Sequence, residues 1–272
     1  MEIKHLCFAY DRTPILYDLN FQIPEGKITT ILGPNGCGKT TLFRLLTRIL
    51  TPAKGGVYIK DRNIYELGRK DFARGVAIVQ QHNTSAEDIM VEQLVAFGRT
   101  PHQGFYGGKS DRDRQKIREA MEITDIYKYR DRPMGTLSGG QKQRVWIAMA
   151  LAQEPKYLFL DEPTTYLDIR YQVQILELVR ELNEKYGMTV VMVLHDINQA
   201  IAYSQEIIGM RDGEIRFSGS PAKVITRENL LELYDIDMEV LTLGDKKHVI
   251  VESAAFRPNG GERSSENGGT GL

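Results

Sequence analysis

The sequence predicts an α/β fold in which helices pack against a largely parallel β-sheet, and two observations carry this prediction. Three short apolar runs without polar alternation, at residues 28–32, 157–160 and 189–194, are typical of strands buried on both faces. Stretches with helical periodicity alternate with these runs, except that a mainly helical block at about 86–152 interrupts the pattern. We therefore expect an inserted helical subdomain, preceded by an N-terminal antiparallel β region.

The composition is that of an ordinary soluble globular protein of 272 residues, long enough for one or two domains. Lys and Arg total 35 against 36 Asp and Glu, a balance that argues against a general nucleic-acid binder. Cys7 and Cys37 cannot form a disulfide framework, so we expect a reducing compartment. No run approaches the roughly 18–20 apolar residues of a membrane span. The first residues also lack the pattern of a signal peptide.

The N-terminal region is predicted as short strands joined by turns. Residues 11–14 form a turn cluster between apolar runs at 6–10 and 15–16. A second turn at 24–27 leads into the buried strand at 28–32. This arrangement predicts an antiparallel layer beside the parallel core.

Helical spacing predicts a helix at 40–50, and then three helical stretches in the inserted block. Within the block, residues 111–126 form a charged helix with one solvated face and residues 140–153 form another helix. Residues 99–110, which include several glycines, are expected to be a loop that precedes the charged helix. The apolar positions that define these helices are Leu42, Leu45, Leu46 and Ile49, then Val91, Leu94 and Val95, then Val145, Ala148, Met149 and Ala152.

After the block, the alternation of strands and helices resumes. A short strand at Val76–Val79 precedes the block, and helices at 171–185 and 198–204 flank the third buried run. Asp212 and Gly213 supply the positive φ angles of a hairpin turn within residues 207–217. Residues 257–272 carry almost no apolar side chains and are expected to be a disordered tail.

Residues 33–40, Gly-Pro-Asn-Gly-Cys-Gly-Lys-Thr, match the pattern G-x-x-x-x-G-K-[ST] between a buried strand and a helix. Gly36 and Gly38 allow backbone N–H groups to point at phosphate oxygens, and the helix N-terminus adds about half a positive charge. Lys39 is expected to reach the β- and γ-phosphates of ATP, and the Thr40 hydroxyl to bind Mg²⁺. The alternative is a glycine-rich turn that binds nothing.

Polar residues follow two of the buried strands, at the carboxyl ends where ligands bind in open α/β sheets. Asp161 is expected to hold Mg²⁺ through its water shell, and Glu162 to polarise the attacking water. The alternative for this pair is a helix-capping Asp beside a solvated Glu. His195 can hydrogen-bond the γ-phosphate and the attacking water, or it can be a structural histidine.

Residues 137–141, Leu-Ser-Gly-Gly-Gln, form a second candidate phosphate site. Ser138 is a candidate N-cap, and Gly139 and Gly140 expose N–H groups at a helix start. These residues alone are equally consistent with a capped helix that binds nothing.

Taken in order, these four motifs resemble the ATP-binding cassette (ABC) ATPases over residues 1 to about 240. The resemblance implies a P-loop, RecA-like nucleotide-binding core at about 1–85 and 153–240, within an ATPase domain that covers 1–256. It implies that Lys39, Gln81, Glu162 and His195 are catalytic. Thr40, Gln81 and Asp161 would bind Mg²⁺.

The same resemblance implies which residues bind ATP. They are Tyr10, Gly33, Pro34, Asn35, Gly36, Cys37, Gly38, Lys39, Thr40, Thr41, Ser138, Gly139, Gly140, Gln141 and Asp168. Tyr10 would stack on adenine, or else pack within its strand. Asp168 belongs to a loop that crosses between two copies, and Tyr166 in that loop departs from the family's usual alanine. Cys37 stands where serine is common, as a small packed residue or as an oxidation-sensitive thiolate.

The resemblance also implies partners. Two head-to-tail copies would sandwich two ATP molecules, with Ser138 of each copy on the γ-phosphate held by the other. Residues 91–102, 194–200 and 219–221 resemble ATPases of bacterial importers of ferric siderophores, haem and cobalamin. We therefore expect the ATP-hydrolysing subunit of an iron-complex importer, peripheral on the cytoplasmic face of the membrane, with permease subunits and an extracytoplasmic binding protein. The alternatives are another cargo, an exporter, or a soluble ATPase not involved in transport.

Overall fold

The first layer of the fold is an antiparallel sheet of four strands near the N-terminus. The computed structural model describes residues 1–104, 110–244 and 246–251. Strands β1 (Glu2–Tyr10), β2 (Thr13–Gln22), β4 (Lys54–Ile59) and β5 (Arg62–Asn63) lie in the order β2-β1-β4-β5. Tyr10 already pairs with Thr13, so the turn predicted at 11–14 is only two residues long. The antiparallel region is confirmed, although β4 and β5 were not predicted.

The second layer is a six-stranded sheet that carries the candidate site at one edge. Its order is β10-β9-β3-β8-β7-β6, and only the pair β9–β10 is antiparallel. Every residue of β3, β7 and β8 is buried, as the unbroken apolar runs predicted. The strands are β3 (Ile28–Leu32), β6 (Val76–Val79), β7 (Tyr157–Asp161), β8 (Thr189–Val193), β9 (Glu206–Arg211) and β10 (Glu214–Gly219).

Two apolar clusters cover the two faces of this sheet. Along β7, Phe159 belongs to the cluster shared with the N-terminal sheet, whereas Leu158 and Leu160 belong to the cluster shared with the helical block. Strand residues that point to opposite faces therefore hold two layers onto one sheet. The α/β fold class is confirmed.

Each helix that the sequence predicts is present, although the ends differ, and three further helices at 69–75, 221–224 and 227–234 were not predicted. The helices are α1 (Lys39–Leu46), α2 (Arg69–Gly75), α3 (Val91–Ala96), α4 (Asp111–Ile123), α5 (Gly139–Ala152), α6 (Ile169–Tyr186), α7 (Ile197–Tyr203), α8 (Pro221–Val224) and α9 (Arg227–Tyr234). Helix α1 ends four residues before the predicted boundary because Arg48 takes a left-handed conformation. Asp125 ends the turn after α4 in the same way, so the helix predicted to reach 126 stops at Ile123.

The apolar stripe predicted for residues 145–152 is only partly right. Helix α5 is buried on nearly all sides because it contacts α3, α4 and β6, while Met149 of the predicted stripe is only half-buried. On α6, Leu176 and Val179 are buried, but Val173 is exposed. Helix α5 therefore behaves as a core helix, without the polar face that a single stripe implies.

The predicted loop at 99–110 is wrong in its first part. Phe97–His102 is a 3₁₀ helix, and Arg99 within it is buried. Its guanidinium donates to Asp113 Oδ1 and Glu154 Oε2, each at 2.8 Å, and to the Ala152 carbonyl at 2.7 Å. This cluster ties the helical block to the start of β7, and residues 105–109 lie outside the described part.

The described chain ends in a hairpin of β11 (Glu239–Leu243) and β12 (Lys246–Ile250). Asn198 on α7 both donates to and accepts from the backbone of Val249, which docks the hairpin onto the core. The predicted tail at 257–272 lies outside the described residues. Among the described residues, we find no helix both long enough and apolar enough to cross a membrane.

Candidate nucleotide-binding and catalytic site

The loop between β3 and α1 has the backbone geometry of an anion cradle. Gly38 is the N-cap of α1 with φ 103°, and neither a capping side chain nor an acidic residue serves the first turn. Gly33 also has a positive φ, and a Cβ there would overlap the Met210 carbonyl. The exposed N–H groups of this helix start, with the positive end of its dipole, are suited to phosphate.

Lys39 is buried within this loop. Its Nζ donates to the carbonyls of Gly33 at 2.8 Å and Pro34 at 2.7 Å. Burial lowers its pKa, and the carboxylates of Glu162 and Asp161 oppose that effect. A cavity of about 240 Å³ opens beside the ammonium group, and it is lined by Ile15, Asn35, Gly36, Gly38, Lys39, Thr40, Thr41 and Glu162. The predicted loop residues therefore surround one space with Glu162.

Glu162 joins three segments that are distant in sequence. Its Oε2 accepts from Gln81 Nε2 at 2.6 Å and from Thr165 Oγ1 at 3.1 Å. Its Oε1 lies 2.7 Å from His195 Nε2. The structure thus brings together three of the residues predicted as catalytic, and it adds Thr165. The only sequence signal for Thr165 is its place three residues after Glu162.

Asp161 differs from its neighbour because one of its oxygens lacks a partner. The residue is 9% exposed, and its Oδ1 makes no hydrogen bond with the described atoms. Burial, with help from the Glu162 charge, raises the pKa of Asp161 to about 6. Asp161, Thr40 and Gln81 line a second cavity of about 230 Å³. A buried free carboxylate oxygen beside a hydroxyl and an amide is an oxygen donor set that fits Mg²⁺.

The residues at 137–141 form a helix start elsewhere in the chain. Ser138 Oγ accepts from the Gln141 amide, and Gln141 Oε1 accepts from the Ser138 amide, which is a reciprocal capping box. A Cβ on Gly140 would overlap the ring of Tyr171, and one on Gly139 would touch Leu167. Ser138 bonds within its own helix start, to Gln141 and Lys142, whereas the Lys39 ammonium bonds to its own loop. The two candidate phosphate sites are therefore separate parts of one chain.

The remaining predicted residues have the following places. Tyr10 ends β1, is 41% exposed and packs edge to face on Phe8. Asp168 caps α6 by accepting from the Tyr171 amide at 3.0 Å. Cys37 is buried, and this burial raises the pKa of its thiol. A thiolate is therefore disfavoured, and the geometry favours a packing role for Cys37.

Comparison with known proteins agrees with these motifs. Residues 16–165 match the family described as ABC transporter. The iron(3+)-hydroxamate import ATP-binding protein FhuC of Bacillus subtilis is 43% identical over 242 residues, covering 89% of this chain and 90% of that protein. The ferric enterobactin transport ATP-binding protein FepC of Escherichia coli is 42% identical, covering 86% of each chain.

Solved structures share the fold. A transporter described as metal-chelate type, in an inward-facing conformation, matches with a TM-score of 0.79 and 29% identity, covering 92% of this chain and 96% of that chain. A dimeric ATP-binding cassette with ADP and phosphate, in a post-hydrolysis state, matches with a TM-score of 0.69 and 29% identity, covering 80% of this chain and 97% of that chain. The chain therefore belongs to the ABC transporter family and is an ABC-type ATPase.

Proposed function

We propose that this protein is the ATP-hydrolysing subunit of an importer that takes up an iron complex through separate permease subunits. The observation that carries the catalytic part is the position of Glu162, held by Gln81 and His195 beside the loop of Lys39. The names of the relatives FhuC and FepC support an iron complex as the cargo.

In the proposed nucleotide site, phosphate oxygens replace contacts that Lys39 makes within the chain. The Lys39 ammonium would exchange the carbonyls of Gly33 and Pro34 for phosphate oxygens, while backbone N–H groups around Gly36 and Gly38 donate to them. Pro34, Asn35, Cys37 and Thr41 complete the loop. Tyr10 would stack on the adenine.

Thr40, Gln81 and Asp161 would hold Mg²⁺, which supplies charge neutralisation for the phosphate oxygens when it is bound. The Gln81 amide nitrogen is occupied by Glu162, which leaves the amide oxygen for the metal. Glu162 would orient and polarise the attacking water. His195, which bonds Glu162 in this state, would turn between that carboxylate and the γ-phosphate.

A second copy is proposed to complete each site. Ser138, Gly139, Gly140 and Gln141 start a helix that does not serve the chain's own Lys39. A head-to-tail partner could bring this helix start to the γ-phosphate, and Asp168 would lie in the crossing loop. The solved dimeric cassette supports such a pairing. The dimer would sit on the cytoplasmic face of the membrane, with permease subunits and, through them, an extracytoplasmic binding protein.

The catalytic assignment is tested with Glu162→Gln, which keeps the size of the side chain and removes its charge. We expect ATP binding to persist and hydrolysis to fall at least 100-fold, since a positioned base contributes about 10²–10⁴. Glu184→Gln, the same change on an exposed part of α6, is the matched control and should keep its activity. Full hydrolysis in Glu162→Gln would remove Glu162 from the mechanism.

The transport assignment is tested by purifying tagged Glu162→Gln from gently solubilised membranes in ATP. A polytopic membrane protein in matching stoichiometry would support the transporter. Uptake of radioactive iron as a ferric siderophore, measured in cells with and without this gene, tests the cargo. Unchanged iron uptake with lost cobalamin or haem uptake would assign another cargo. Recovery of a dimer on ribosomes or DNA would exclude import.

A further inference from the structure

Two loops approach Glu162 and bond the same oxygen. One loop contains Gln81, and the other, residues 165–168, begins with Thr165. Both Gln81 Nε2 and Thr165 Oγ1 donate to Glu162 Oε2. The direction of this carboxylate therefore depends on how the two loops sit relative to each other.

A second contact joins the same two loops one residue further along each of them. The rings of His82 and Tyr166 are stacked, with centroids 6.1 Å apart and planes inclined by 27°. His82 also lines the cavity that contains Thr40, Gln81 and Asp161. The stack thus lies beside the catalytic and metal-binding groups.

The conformation of Tyr166 needs an explanation that its burial does not give. Its φ is +63°, a left-handed conformation that is unfavourable for a bulky residue. The residue is also 84% exposed, so apolar burial does not offset this strain. Backbone strain of this kind tends to persist where the geometry serves a functional site. In this left-handed conformation, the Tyr166 ring stacks on His82.

We propose that His82 and Tyr166 are a positioning pair, which holds the Gln81 loop against the 165–168 loop and so keeps Glu162 oriented. This inference rests on the proposed catalytic role of Glu162. The proposed role of the pair does not need direct contact with the nucleotide or the metal. It acts through Gln81 and Thr165, whose donors fix the Glu162 carboxylate. Without the stack, the two loops separate more often and the carboxylate is less often aligned with the attacking water.

The test compares ATPase kinetics of the purified full-length chain with those of six variants. Tyr166→Asn removes the ring and tolerates the left-handed backbone, and His82→Ala removes the other ring. We expect each to lower kcat about 5- to 10-fold, with KM for ATP within twofold and an unchanged melting temperature. Tyr166→Phe retains the stack and should keep wild-type kcat. The double variant should be no worse than either single variant, because both remove one interaction.

Two controls separate the possible outcomes. Tyr186→Ala, at an exposed tyrosine at the end of α6, should leave kcat unchanged. Wild-type kcat in Tyr166→Asn, or losses that add in the double variant, would overturn the pairing. A loss of ATP-dependent dimer in Tyr166→Asn and not in His82→Ala would also overturn it, because Tyr166 would then serve the partner copy. If Glu162→Gln, assayed alongside, stays active, the failure belongs to the proposed catalytic role.

Discussion

Two buried aspartates in this molecule have opposite properties. Asp113 is 7% exposed and Asp161 is 9% exposed, so they are buried to the same extent. The Arg99 guanidinium lowers the pKa of Asp113 to about 2, whereas burial raises the pKa of Asp161 to about 6. At Asp113 the guanidinium outweighs the effect of burial, whereas at Asp161 burial dominates and the neighbouring Glu162 charge adds to it.

The comparison distinguishes a structural acidic cluster from a binding site. Around Asp113 the charges are satisfied internally, because Arg99 also bonds Glu154 and the chain carbonyl of Ala152. At Asp161 the nearest acid is Glu162, and one carboxylate oxygen has no partner among the described atoms. A buried acid with a raised pKa and a carboxylate oxygen that lacks a hydrogen-bond partner is a candidate to bind a cation.

The largest effect is expected from a substitution that breaks the cluster of Arg99, Asp113 and Glu154. Arg99→Ala leaves Asp113 buried without its cation, which typically lowers the free energy of unfolding by about 3–5 kcal/mol. Urea denaturation of the purified chain measures this loss. Arg118→Ala, an exposed change on α4, should leave the free energy of unfolding nearly unchanged. A comparably small loss in Arg99→Ala would mean that the cluster does not hold the helical block.

The next effect concerns the site with the unpaired oxygen. Asp161→Asn should lower Mg²⁺-dependent ATP hydrolysis about 100-fold or more, since a bound metal supplies several kcal/mol of transition-state stabilisation. It should not lower the melting temperature of the metal-free chain, because it removes the charge of a buried carboxylate whose Oδ1 has no hydrogen-bond partner among the described atoms. Asp131→Asn, at an exposed aspartate, is the control for both measurements. A destabilised Asp161→Asn would indicate that this acid is structural.

A smaller effect that distinguishes the two aspartates is the dependence of the free energy of unfolding on pH. The pKa of Asp161 in the fold is above its unfolded value, so the folded chain binds the proton more tightly. The contribution of Asp161 to the free energy of unfolding is therefore favourable below pH 4, and it is lost as pH rises through about 6. The loss is at most about 3 kcal/mol, since each pKa unit corresponds to about 1.4 kcal/mol.

This pH effect is measured as the difference in unfolding free energy between wild type and Asp161→Asn, in EDTA, from pH 4.5 to 8. As pH rises, the free energy of unfolding of the variant should increase relative to that of the wild type. Asp113 has the opposite sign, because its folded pKa of about 2 is below the unfolded value. Its stabilisation is full above pH 4 and is lost toward pH 2. A flat difference for Asp161→Asn would contradict the raised pKa.

The smallest expected effect concerns an uncharged pair that is also satisfied internally. Asn198→Ala removes both side-chain hydrogen bonds to Val249, each worth about 1 kcal/mol or less at a partly exposed position. Thermal unfolding should show a modest loss, while kcat stays at the wild-type value. A large fall in kcat with unchanged stability would give Asn198 a role in the ATPase cycle.

Sequence patterns were informative where the determinants are local. The loop at Lys39 and the acids at the end of β7 follow from residues that are neighbours in the chain. Glu162 lines the cavity beside Lys39 and Asp161 lines the second cavity, and Thr40 lines both. Arg99 was assigned to a loop because its partner Asp113 lies 14 residues away and Glu154 lies 55 residues away. Local periodicity in the sequence does not predict ion pairs between residues so far apart.

The ends of elements and the loop contacts were missed for a similar reason. Helix α1 stops early because Arg48 takes a left-handed conformation, which its residue type does not indicate. Thr165 was missed because a lone threonine in a loop carries no pattern. Asn198 was assigned to a motif typical of importers, yet its described contacts fasten the C-terminal hairpin. A motif therefore identifies a class of protein without saying what each of its members touches.

The helical block has a consequence for anyone who wishes to shorten this protein. Strands β6 and β7 are parallel neighbours, with Val76 beside Tyr157, so the chain must return to the opposite end of the sheet between them. A crossover of this kind needs about a dozen residues. Residues 86–152 supply it, so the block is also a structural connection. A minimal core would have to replace the block with a spacer and not with a tight turn.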